Sequence, residues 1–128
     1  MKAIKKKYLI NASSEKVWES LVNPRIIEAW GAGPVEMSDR ENFKFKLWGG
    51  DIHGENIKVM KNKKLAQDWY GGDWTEPSKA TFTLTKKGDK TLLELIHENV
   101  PGKEAKDINS GWDDYYLGPT KEYLEASV

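Results

Sequence analysis

Between residues 42 and 98 the chain alternates apolar and polar residues in run after run, and a turn signal closes most runs. Phe43, Phe45 and Leu47 share one parity of the first run, and Leu65, Gln67 and Trp69 share one parity of a later run. Ala80, Phe82 and Leu84 stand opposite Thr81, Thr83 and Thr85, and Thr91, Leu93, Leu95 and His97 repeat the pattern. A period of two sends successive side chains to opposite faces, so each run reads as a strand with one buried face. Gly49-Gly50-Asp51 and Lys87-Gly88-Asp89 are tight turns that return one strand beside the last. Gly54, inside the run 52–60, predicts a bulge or a close backbone approach. Such a meander exposes a continuous apolar face and must be covered by other elements.

The cover lies at both ends of the chain. Residues 3–11 read as a strand, with Lys6 on the parity of Ile4, Tyr8 and Ile10, the inward charge of a defended edge. Ser13 is placed to cap a helix carrying Val17, Trp18, Leu21 and Val22 at helical spacing. That helix ends at Asn23-Pro24, and Pro24 opens a second short helix with Ile26, Ile27 and Trp30 that stops at Gly31. Pro34 to Asn99 is read as six strands. After Pro101-Gly102 a long helix begins near Glu104, with Ile108, Trp112, Tyr115, Tyr116, Tyr123 and Leu124 as its apolar stripe and a bend at Gly118-Pro119. The expected architecture is α+β: a helix-grip arrangement in which a curved antiparallel sheet of about seven strands wraps a long C-terminal helix. Two short helices follow the first strand, and residues 1–128 form a single domain.

Composition narrows the functional classes. Lys plus Arg balance Asp plus Glu at 20 each, and the cations are almost all Lys. A neutral chain poor in Arg lacks the field and the bidentate donors of a nucleic-acid or anionic-membrane binder. There is no Cys and there are only two His, so thiol chemistry and a histidine-rich metal site are not expected. No apolar run reaches the length of a membrane span and the start lacks a signal-like segment, so a cytoplasmic location is expected. Residues 1–64 carry 11 Lys and 2 Arg against 8 acids, whereas residues 65–128 carry 7 Lys against 12 acids. That polarity reads either as solvated faces or as a dipolar surface that steers a protein partner. Six Trp in a chain of mean hydropathy −0.70 point to an aromatic interior.

The segments VWESLVNPRIIEAW, GGDIHGENI, KLAQDWYGGDW and TLLELIHENVPG, with GWDDYYLGPTKEYLE, together resemble the START-like helix-grip (SRPBCC) superfamily. Within it they are similar to the Aha-type family, the C-terminal domain of the activator of the ninety-kilodalton heat-shock chaperone's ATPase. The resemblance covers roughly residues 4 to 125. It implies a seven-stranded grip on a long helix and a deep apolar cavity that, across the superfamily, binds hydrophobic ligands or hosts chemistry. It also implies a heat-shock chaperone as a possible partner. In the turn Lys61-Asn62-Lys63 this chain departs from the family, which often carries a Pro there.

The candidate ligand-binding residues are an aromatic set and a polar trio. Trp30, Trp69, Trp74, Phe82, Trp112, Tyr116 and Tyr123 form an aromatic set suited to an apolar guest, or to plain core packing. Asn56, Gln67 and His97 should share the wall with them, and three buried polar groups there would suggest a wet or ligand-filled cavity. A bulge at Gly54 would instead turn Asn56 outward. His97 is the one general-base candidate of an alternative reading as a cavity hydrolase or lyase, with Tyr116 as its acid or base partner. No nucleophile in a triad pattern accompanies it, so catalytic residues are not assigned. Asp107, Asp113, Asp114, Glu98 and Glu104 have no cation-loop spacing, and Asp113 and Asp114 are expected to face solvent. The Lys5–Lys7 and Lys61–Lys64 runs lack interleaved Arg or aromatics, and Trp48 is a candidate protein-contact anchor. The expectation is a non-enzymatic cytosolic binding module without cofactor or metal. Its expected partners are a small hydrophobic molecule and, as the resemblance implies, a heat-shock chaperone, not a nucleic acid or a membrane.

Overall fold

A computed structural model describes residues 2–126; Met1, Ser127 and Val128, the ends of the predicted domain, lie outside it. Strand β1 (Lys2–Ile10) leads into helices α1 (Ser14–Val22) and α2 (Pro24–Trp30). Strands β2 (Lys44–Leu47), β3 (Ile52–Met60), β4 (Lys64–Gly71), β5 (Ser78–Lys87) and β6 (Lys90–Val100) follow. The C-terminal helix comprises α3 (Ala105–Gly111), a π-helical segment over Trp112–Leu117, and α4 (Gly118–Ala126).

The described strands form one antiparallel sheet of order β1-β6-β5-β4-β3-β2. Six strands, not seven, is the result. The missing strand falls after Pro34, where Glu36 makes only an isolated bridge to Lys46. Pro34 has no amide hydrogen to give a ladder, and the segment pairs no further.

Ser13 caps α1 and Pro24 opens α2 as the sequence predicts, and Asn23, not assigned a role in α2 there, caps the second helix. Ser13 Oγ accepts from the Lys16 amide at 3.2 Å, and Asn23 Oδ1 accepts from the Arg25 amide at 3.0 Å. Gly31 ends α2 at φ +121°, a backbone that favours glycine. Lys6 is on the inward face of edge strand β1, and its charge is answered. Its Nζ lies 2.7 Å from Asp113 Oδ2 on the π-helical segment, and Tyr8 Oη donates to Asp113 Oδ1 at 2.5 Å. Asp113 therefore does not simply face solvent, as the sequence suggested, but ties the edge strand to the helix.

Gly54 meets the stricter of its two expectations. A Cβ there would sit 1.8 Å from the Asp68 carbonyl oxygen, so β3 and β4 come closer than any side chain allows. The register shift comes later, between Asn56 and Lys58, and leaves Asn56 buried and facing inward.

The C-terminal helix passes through Gly118-Pro119 without a break. Its N–H groups shift partners one residue early, so that Gly118 donates to the Asp113 carbonyl. A Cβ on Gly118 would lie 2.2 Å from that oxygen, which makes glycine the residue for this wide turn. The shift also breaks the expected stripe. Trp112, Tyr116, Leu117, Thr120 and Leu124 are buried, while Tyr115 is turned out with 68% of its surface exposed.

Candidate functional site

The sheet's concave face and the C-terminal helix meet through aromatic rings. Trp69 projects from β4 and stacks on Trp112 of the π-helical segment at a centroid distance of 5.0 Å. Phe82 of β5 approaches Trp112 edge-on at 5.8 Å and lies along Tyr116 at 5.7 Å. Tyr116 also packs on Trp112 at 4.8 Å and on Trp30 of α2 at 4.7 Å. Ring pairs at these separations combine a large buried area with favourable edge and offset geometries. Much of the interior beneath the helix is thus filled by the rings themselves.

His97 of β6 sits inside this stack with no exposed surface. Trp112 Nε1 donates to its Nδ1 at 3.0 Å, which makes Nδ1 the acceptor and puts the ring proton on Nε2. Nε2 then donates to Ser78 Oγ at 2.7 Å, and Ser78 Oγ donates to the Trp69 carbonyl at 2.6 Å. Both ring nitrogens of His97 and the Ser78 hydroxyl are thus partnered, whereas the buried Nε1 of Trp69 has no partner among the described residues. Burial lowers the His97 pKa from 6.5 to about 4, so the ring is neutral at pH 7. With both nitrogens engaged, it has no free lone pair for a substrate proton.

Asn56 and Gln67 are elsewhere. They are paired in register across β3 and β4, and Gln67 Nε2 donates to Asn56 Oδ1 at 3.0 Å. Asn56 Nδ2 donates to the Ser38 carbonyl at 2.8 Å and the Arg40 carbonyl at 3.1 Å. The three polar residues expected on one wet wall therefore form two separate, partnered groups. The first pins the loop before β2 to the sheet, and the second pins the helix to it.

The open space lies at one end of the stack. A pocket of about 460 Å³ is bounded by Trp48, Asp51 and Ile52 from the β2–β3 connection and by Trp69 from β4. Asp107, Ile108, Gly111, Trp112, Tyr115 and Tyr116 of the C-terminal helix close the other side. Of the candidate ligand-binding residues, Trp69, Trp112 and Tyr116 line it. Trp30 and Phe82 lie behind the wall in ring contact with Tyr116. Trp74 packs on Trp69, and its indole N–H donates to Glu104. Tyr123 is remote, in a shallow groove with Glu15, Glu19 and Ile26.

Sequence reading placed Trp48 at a protein contact and did not assign Ile52, Ile108 or Tyr115 to a pocket. Trp48 has φ +49°, a left-handed backbone that is costly for a bulky residue. It is held there by its amide, which donates to the Ala32 carbonyl at 2.8 Å, and by Nε1, which donates to the Gly31 carbonyl at 3.1 Å. The sequence signal was present in Trp48-Gly49-Gly50, since an aromatic followed by two glycines marks a ring fixed on a tight turn.

The remaining charge at the helix is Asp113. Partial burial works to raise its pKa, but the hydrogen bonds from Lys6 and Tyr8 and the Lys6 charge outweigh this and hold it below the usual carboxylate range. Burial raises the Tyr116 pKa, and burial with the Asp113 hydrogen bond raises that of Tyr8. Among the described residues no three His, Cys, Asp or Glu side chains gather as a metal site, and no helix is long and apolar enough to cross a membrane.

Comparison with known proteins agrees with this architecture. A family model described as "Activator of Hsp90 ATPase homolog 1-like protein" matches residues 11–125. An uncharacterized protein of Schizosaccharomyces pombe, C1711.08, is 28% identical over 120 residues, which span 92% of this chain and 36% of that protein. The Hsp90 co-chaperone AHA1 of Saccharomyces cerevisiae is 26% identical over 122 residues, spanning 87% of this chain and 34% of that protein. The chain thus spans about a third of the length of the curated relatives it matches. Among solved structures, the crystal structure of PFC0360w, an HSP90 activator from Plasmodium falciparum, superposes with a TM-score of 0.89 at 22% identity over 96% of both chains. That likeness establishes the shared fold.

Proposed function

As the chain belongs to the Activator of Hsp90 ATPase homolog 1-like protein family, we propose that it is a non-enzymatic, cytoplasmic, single-domain binding module whose open pocket takes a small apolar molecule. One observation carries the reading: the pocket of about 460 Å³ walled by Trp48, Ile52, Trp69, Ile108, Trp112, Tyr115 and Tyr116. Its size falls in the range of small-molecule sites, and its lining is predominantly aromatic and aliphatic. The strained backbone of Trp48 supports the same reading, because a ring held at a cost beside a cavity is better explained by use than by packing. The engaged nitrogens of His97 favour binding over hydrolytic or lyase chemistry.

The test is titration of a neutral fluorescent naphthylamine. Trp112→Ala should abolish its binding. Tyr115→Ala removes an exposed ring from the rim, leaves the fold intact and should weaken binding several-fold. Unchanged affinity in both variants overturns the pocket reading.

A second activity is supported by the names of the relatives, one of which is called an Hsp90 co-chaperone. We propose contact with a ninety-kilodalton heat-shock chaperone through the charged outer surface. Isothermal titration against the chaperone of the same organism tests it, and an absence of heat at micromolar concentrations overturns it.

A further inference from the structure

We infer that the pocket's guest carries a hydrogen-bond acceptor, a neutral carbonyl on an apolar body, and that Trp69 Nε1 is the donor that holds it. The inference rests on the pocket reading above and names the chemical class that pocket takes. The chain gives most of its indole N–H groups an acceptor. Trp30 Nε1 donates to the Ser20 carbonyl at 2.9 Å, Trp48 Nε1 to the Gly31 carbonyl and Trp112 Nε1 to His97, while the Trp74 indole donates to Glu104. Trp69 Nε1 is buried and has no acceptor among the described residues. A buried donor left unpaired forfeits the hydration it has in water, so it favours any acceptor that reaches it. Trp18 Nε1 is in the same state, but Trp18 belongs to α1 and is not in the pocket wall.

The acceptor has to come from the pocket. The ring neighbours of Trp69 are Trp112 at 5.0 Å, His97 at 4.7 Å and Trp74 at 6.5 Å. Their polar side-chain atoms are all engaged, and so is the Ser78 hydroxyl. What remains beside the ring is the pocket it lines. A second donor stands on the same wall. The Tyr116 hydroxyl makes no hydrogen bond among the described residues; only the backbone carbonyl of Tyr116 is engaged, by Thr120. Burial keeps this phenol protonated, so it too can donate. A carbonyl oxygen has two lone pairs and complements an N–H and an O–H on one wall, while the apolar lining suits the rest of the guest. No Lys or Arg lines the pocket to neutralise a carboxylate, and Lys103 and Lys106 are exposed and stand outside the lining. Burying a carboxylate without a partner is costly, so the acceptor is neutral.

The test compares methyl naphthyl ketone with isopropylnaphthalene, its hydrocarbon isostere, and with naphthoate. Each is titrated against the whole chain and followed through the indole N–H resonances. Trp69→Phe identifies the Trp69 resonance, removes the donor and keeps an aromatic ring against Trp112. The ketone should move that resonance downfield. In the variant it should lose about fivefold more affinity than isopropylnaphthalene loses, the size of one net hydrogen bond. Naphthoate should bind more weakly than the ketone. Where the variant fails to fold, sequential assignment identifies the resonance in the parent chain, and the downfield shift alone decides. If the resonance stays in place with the ketone, or the ketone loses no more than isopropylnaphthalene in Trp69→Phe, the acceptor inference is overturned and the apolar pocket stands. Loss of ketone affinity in Tyr116→Phe only gives the acceptor to the phenol and overturns the role of Trp69. Tighter binding of naphthoate than of the ketone overturns the neutral class. If no compound binds, the acceptor and the pocket are both overturned.

Discussion

Trp112 Nε1 donates to His97 Nδ1 at 3.0 Å, and this bond joins the C-terminal helix to β6, the strand beside edge strand β1. It commits His97 to the neutral ring. Protonation would place a second N–H where the indole N–H already points, in a site with no exposed surface.

The stability of the fold should therefore depend on pH through His97. The folded pKa of about 4 lies below the ordinary 6.5, so between these values the unfolded chain binds a proton that the folded chain excludes. Stability is full above pH 6.5 and falls as the pH drops toward 4, by about 3 kcal/mol over the window. Urea unfolding across this range measures it. His97→Gln retains an acceptor for Trp112 and does not titrate, so its stability should change less with pH over the same range; an equal slope would assign the effect to other groups.

Asn56→Ala should cost about 1–3 kcal/mol, because it leaves three partners without their bond at once, buried Gln67 among them. The Ser38 and Arg40 carbonyls lose their donor, and Gln67 Nε2 loses its acceptor. The loop before β2 should loosen first, seen as faster amide exchange of Asn42, whose N–H donates to the Asn56 carbonyl at 2.7 Å. A stability within experimental error of the parent would show that water replaces the amide.

Gly54→Ala should destabilise the chain by about 3 kcal/mol, the upper range for overpacking, since the new methyl must displace the Asp68 carbonyl and also crowd Phe45. Gly54 pairs in register with Trp69, so the variant should also shift the fluorescence of the pocket tryptophans. Thermal unfolding and emission spectra check both effects together.

The alternation between residues 42 and 98 made the sheet legible, because a buried face leaves a period of two in the chain. The cap at Ser13 was legible because it is a local bond between residues three apart; the equally local Asn23 cap was passed over because Asn23 was read only as the end of the first helix. The count of six strands between Pro34 and Asn99 was one too many, since pairing depends on a neighbour that no local pattern reports. The aromatic candidates Trp69, Trp112 and Tyr116 were found from parity and helical spacing. Ile52, Ile108 and Tyr115 were missed as a group, because a pocket wall is set by where two distant elements diverge. Asn56, Gln67 and His97 were correctly placed inside, but their partners (backbone carbonyls, Ser78 and an indole) have no sequence signature.

The widened turn at Trp112–Leu117 works as a phase setter. Each residue of an α-helix advances about 100° around the axis, so the one extra residue held in this turn rotates everything upstream by that angle relative to everything downstream. Ile108 and Gly111 look onto the opening because of that offset, while Thr120 and Leu124 look into the core. A single-residue deletion here would let the helix close regularly. It would swing the upstream half away from the opening and erase the recess without altering one side chain that lines it.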